Sequence, residues 1–150
     1  MEHIILPCLY AFIGCVAFCF VFQLRKWQHI VCAALSGAGG WLVYLLLDGS
    51  SIVLRGLLAT VVVAMLSEIF ARVFKSPAAV FLLIGIIPLV PGGGIYYTLE
   101  ALINSDMDLF VEKGLETVAL AGAIAVGCSL VASVVRIVSK SRQQRQRKAN

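Results

Sequence analysis

Ile87-Pro88-Leu89-Val90-Pro91-Gly92-Gly93-Gly94-Ile95-Tyr96-Tyr97 begins about ten residues into an apolar run that covers residues 78–103. Each proline removes a backbone donor and clashes with the preceding turn. Three glycines add backbone freedom directly afterwards. The stretch therefore predicts two half-helices, residues 78–87 and 92–103, in place of one rod. If the run crosses a bilayer, the gap falls near the midplane. Unpaired backbone groups there cost several kcal/mol each, so the gap must be covered by protein or line a wetted cavity. The second half-helix would aim its N-terminus, with free N–H groups and roughly half a positive charge, at that point. Such an end is a seat for a carboxylate. Pro88, Pro91, Gly92, Gly93 and Gly94 are the candidate solute contacts, with Tyr96 and Tyr97 placed to flank a bound solute. A plain proline kink, or a close-packing site for a neighbouring helix, is the competing reading of the same residues.

The rest of the chain supplies the reason to invoke a bilayer. Of 150 residues, 61% are hydrophobic and only 13% are charged, against about 25% charged in a soluble domain. So few charges cannot cover a water-soluble globule this apolar. A bilayer core needs about 20 apolar residues per helix. Spans at residues 4–22, 29–47, 52–74, 78–103 and 115–138 consume most of the chain and leave no room for a soluble catalytic domain. The expected fold is all-α: a polytopic membrane protein of five transmembrane helices, the fourth broken near the midplane. Residues 1–138 form the membrane domain and residues 139–150 a basic cytoplasmic tail. The first span lacks the basic flank of a signal peptide, since Arg25 and Lys26 follow it.

The net charge is +4, and its placement sets the orientation. Arg25 and Lys26, Arg72 and Lys75, and the six basic residues from Arg136 to Lys148 fall on one side of a five-span chain. Only Arg55 and Lys113 fall on the other. The positive-inside rule then puts the N-terminus outside and the C-terminus in the cytoplasm. The loop carrying Asp106, Asp108 and Glu112 faces out. Were the broken segment a re-entrant hairpin, this sorting would be reversed beyond it, which argues for a full crossing.

Glu68 lies about 9 Å from the cytoplasmic end of the third span, taking 1.5 Å per residue. A charge near the centre of a span costs on the order of 2.5–3.5 kcal/mol, so it needs a reason. Arg72 follows in the favourable i,i+4 order. The pair is either an ion pair that positions the helix or a proton or substrate relay at an inner gate. Gly56, Thr60, Ala64, Glu68 and Arg72 form a curving small-and-polar face that packs inward. Glu100 reads as a solvated charge at a helix end or as part of an outer mouth. Ser36-Gly37-Ala38-Gly39-Gly40 marks close packing in span two. In span five, Ala119, Ala123 and Gly127 mark one face, and Ala121, Ala125, Ser129 and Ser133 another. The five cysteines (Cys8, Cys15, Cys19, Cys32, Cys128) read as small polarizable packing residues. No metal-ligand spacing, phosphate loop or nucleophile–base set appears, so neither an enzyme nor a cofactor is expected. The tail lacks interleaved aromatics, which argues against nucleic acid and for contact with anionic lipid.

Taken together, Gly37-Ala38-Gly39-Gly40-Trp41, Ser67-Glu68 with Arg72, Ser76-Pro77-Ala78 and Pro88-Leu89-Val90-Pro91-Gly92-Gly93 resemble the threonine/serine exporter family. The resemblance is to its small five-helix subunit, the type that matches the C-terminal half of ten-helix members, over about residues 5–138. It implies a bacterial inner-membrane exporter of small carboxylates: threonine and serine in fused members, succinate in a split pair. It also implies a second five-helix subunit matching the N-terminal half. Five helices are few to enclose a path, so a partner or a homo-oligomer is expected. The alternative is a non-transporting membrane scaffold that stabilises a partner membrane protein.

Overall fold

The computed structural model describes the backbone of residues 2–149 and the side chains of residues 5–141. The described residues are almost entirely helical and contain no strand. Six α-helices follow in order: α1 (Glu2–Val21), α2 (Trp27–Leu46), α3 (Ile52–Phe74), α4 (Ala78–Ile86), α5 (Gly92–Ile103) and α6 (Met107–Ala149). A single 3-10 turn, Ile87–Leu89, hangs on the end of α4. Among the described residues, α2, α3 and α6 are long and apolar enough to cross a membrane, and α4 with α5 is long and apolar enough only as a pair, bent by 45° at the break. The described apolar part of α1, Ile5–Val21, is shorter than these.

Local chemistry sets the helix ends. Ser51 caps α3 by accepting the Leu54 N–H, and Lys75 ends it in the left-handed conformation. Asp106 accepts the Leu109 N–H at 3.1 Å and starts α6, which is the ordinary work of an N-cap aspartate. One expectation is corrected here. Asp108 and Glu112 lie on the first turns of α6, not in a loop, because the Asp106 cap starts the helix ahead of the apolar run. At the other end, α6 continues as a helix past the expected span end at residue 138 and into the basic tail. Its polar continuation is rich in Lys, Arg and Gln, which are good helix formers. The side chains of Arg142, Arg145, Arg147 and Lys148 lie outside the described residues.

α2 packs on α1, α3 and α4, while α3 packs on α2, α4 and α6. α5 packs chiefly on α6. The crossings use small residues, as expected where lipid supplies no hydrophobic drive between helices. A Cβ on Gly37 would strike the Cys15 thiol, one on Gly40 would strike Val63, and one on Gly56 would strike Leu120. Further along α3, Thr60 sits against Gly127 of α6. Of the five residues expected to face inward, Gly56, Thr60 and Ala64 are buried, the first two against α6, whereas Glu68 is partly exposed and Arg72 is exposed. Only one of the two small faces of α6 packs. Ala123 and Gly127 are buried against α3, whereas Ala121, Ala125, Ser129 and Ser133 are exposed.

Candidate functional site

The break falls where the prolines put it. Pro88 has no N–H to give the Ile84 carbonyl. That carbonyl instead accepts the Ile87 N–H in a tighter turn and the Cys15 thiol of α1 at 3.4 Å. Pro91 likewise cannot serve Ile87. Val90 N–H is shared between Ile86 O at 3.2 Å and Ile87 O at 3.3 Å. Gly92 N–H turns back to Val90 O at 2.7 Å, and the first helical bond of α5 runs from Ile95 N–H to Pro91 O at 3.0 Å. No side chain caps α5. The Gly93 and Gly94 N–H groups are thus among the open donors that any helix start carries.

A cavity of about 230 Å³ opens at this break. Pro88, Leu89, Val90, Pro91, Gly93 and Gly94 form one side. Trp41 and Tyr44 of α2 and Glu116 and Thr117 of α6 form the facing walls. The volume is below the range typical of drug-sized ligands, about 300–1,000 Å³, and suits a small metabolite. Tyr44 stacks on Trp41 with ring centroids 5.3 Å apart and planes 15° apart. Behind them Arg55, whose side chain is 19% exposed, pairs with Asp48 at 3.0 Å. Its guanidinium carbon lies 4.4 Å from the Tyr44 ring centroid, and its Nε donates to the Tyr44 carbonyl at 3.2 Å. The aromatic wall is therefore pinned from behind by a cation. The Trp41 indole N–H is buried and has no partner.

The glycines do different jobs. A Cβ on Gly92 would meet nothing within 4 Å, and one on Gly93 only the Tyr97 ring edge at 4.0 Å. Neither glycine is needed for packing. A Cβ on Gly94 would strike the Thr117 hydroxyl, so this position sets how closely α5 approaches α6. Gly92 itself does not line the cavity, and neither does Tyr96 or Tyr97. α5 turns Gly94, Thr98 and Ala101 toward α6 and leaves both tyrosines more than half exposed. The expectation that the tyrosines flank the cavity is corrected accordingly, although the Tyr97 ring reaches back toward Gly93.

Glu68 and Arg72 lie elsewhere. They pair at 3.4 Å, with Glu68 25% and Arg72 54% exposed. Both line a separate groove of about 350 Å³ between α3 and α6, whose other walls are Val61, Met65 and aliphatic residues of α6. The groove and the break cavity share no lining residue, but α3 and α6 contribute to both. Glu100 is exposed near the end of α5, beside Tyr96 in a shallow pocket. Sequence reasoning passed over Trp41 as a wall residue, Tyr44, Arg55 and Glu116. Glu116 had a signal, since it stands three residues after Lys113 at the start of an apolar helix. Trp41 and Tyr44 share a face at i,i+3, but nothing in the sequence says that this face meets the break.

No curated protein and no solved structure matches the chain. A family model described as threonine/serine exporter, ThrE, matches residues 7–134. That match reaches into all six helices and covers every residue that lines the cavity at the break, and the chain is a membrane protein that belongs to the threonine/serine exporter family.

Proposed function

We propose that the chain is a subunit of a secondary transporter that exports small carboxylates across a bacterial inner membrane. Threonine and serine, or a dicarboxylate such as succinate, are the solutes in view. The observation that carries the reading is the small cavity at the α4–α5 break, which the uncapped start of α5 adjoins. Gly93 and Gly94 N–H groups and the unpaired Trp41 indole are donors for a carboxylate; Pro88 and Pro91 hold the backbone open. With α1 as a crossing the chain spans five times, N-terminus outside and C-terminus in the cytoplasm. Residues 139–150 form the basic cytoplasmic tail.

In this reading Glu68 is the coupling residue and Arg72 its partner. Their groove lies along the same α3–α6 contact that lines the solute cavity farther up. Apart from this pair the groove is apolar, and a carboxylate within a span is costly unless it is paired or used. The path is completed by a second five-helix subunit or by further copies of this chain. The scaffold reading draws support from Gly94 alone, whose role is packing.

The test is efflux of preloaded L-threonine, L-serine or succinate from vesicles holding this chain with a co-expressed five-helix partner. Efflux that depends on the chain and drops at least tenfold on enlarging Gly93, with co-purification of the partner retained, supports transport. Loss of co-purification before any change in solute preference supports the scaffold.

A further inference from the structure

Resting on the carboxylate-site reading above, the residue left unassigned in that cavity is Glu116. Its position is not accidental. Thr117, the next residue, packs flush against Gly94, which locks the register of α6 to the first turn of α5. Glu116 is thereby held in the wall that faces the Gly93 and Gly94 N–H groups. The cavity has a positive pole at the helix start and a negative one at Glu116. Lys113 offsets the negative pole only in part, because its ammonium is shared between Glu112 and Glu116 at 3.1 Å each, and the Glu116 side chain stays 46% exposed. One cation for two carboxylates leaves the group net negative. Glu112 takes no part in the cavity wall.

We propose that Glu116 is the specificity-determining residue of this cavity: its carboxylate receives the cationic end of a zwitterionic solute and repels a second negative charge. A dicarboxylate that docks one end on α5 brings its other end toward Glu116, and like charges in a confined site discriminate against it. A zwitterion satisfies both poles at once.

The experiment is equilibrium binding of L-serine and of succinate to the purified full chain in lipid nanodiscs. The wild type is expected to prefer serine. Glu116→Gln should lower the serine-to-succinate preference by roughly tenfold or more, the size expected when a repulsive element is removed. Glu116→Asp should keep most of the preference. Glu112→Gln removes the same charge from the same lysine outside the cavity and should leave the preference unchanged. An unchanged ratio in Glu116→Gln, or an equal shift in Glu112→Gln, overturns the assignment while leaving the site reading intact. A wild type that binds neither solute saturably overturns both.

Discussion

The Cys15 thiol of α1 lies 3.4 Å from the carbonyl oxygen of Ile84, the acceptor that Pro88 cannot use. A helix broken in the interior thus recruits a donor from a neighbour, and the same thiol fills the space beside Gly37. Replacing Cys15 by Ala removes a donor and opens a small void. The Ile84 carbonyl keeps the Ile87 N–H, so the expected loss is about 0.5–1.5 kcal/mol, that of one hydrogen bond. Cys15→Ser, which keeps a donor, should fall between. Thermal or denaturant unfolding in detergent measures this, and an Ala variant as stable as wild type means the contact is idle.

Gly94→Ala should impair assembly, read as the monodisperse fraction after purification, because its methyl group collides with the Thr117 hydroxyl. Thr117→Ala in the same chain should restore it. Gly92→Ala meets open space and should be neutral, or stabilising by up to about 1 kcal/mol through helix propensity. If Gly92→Ala disrupts assembly as badly as Gly94→Ala, the division of labour among these glycines is wrong.

Glu68→Gln should slow export at least tenfold while purified yield and partner association stay normal. As a helical i,i+4 pair, Glu68 and Arg72 contribute only about 0.2–0.5 kcal/mol to stability. A structural role therefore predicts little change in anything. Normal export in Glu68→Gln removes the relay.

Trp41→Phe keeps the stacking surface against Tyr44 and deletes the unpaired indole N–H. Stability should hold or rise slightly, since a buried donor without a partner is a cost. Solute affinity should fall roughly five- to tenfold if that donor serves the carboxylate, as loss of one hydrogen bond of about 1–1.5 kcal/mol implies. Titration calorimetry on the two proteins separates the outcomes; equal affinities leave Trp41 a packing residue.

The break could be read from the chain alone because Pro88, Pro91 and the three glycines act on their own backbone. The span of α3 was legible for the same reason, being framed by a serine cap and by Lys75-Ser76-Pro77. The start of α6 was missed because hydropathy weighs the apolar run and ignores the Asp106 cap ahead of it. What surrounds the break was not legible. Trp41 and Tyr44 reach it only because α2 packs on α4, and Glu116 only because Thr117 fits against Gly94. These are meetings between elements distant in sequence, and no spacing along one helix encodes them. Glu68 and Arg72 were singled out from cost and spacing, which point to importance but not to a place in the cavity at the break.

The break also divides loyalties within the chain. α4 is held by α2 and α3, whereas α5 is held by α6, and only Val90 and Pro91 join the 3-10 turn to the helix beyond. Leu120 seats on Gly56 and Thr60 on Gly127, so α6 is tied to α3, and any relative motion of the two half-helices is concentrated at that two-residue link. The cavity is thus built across a joint between two separately anchored half-helices.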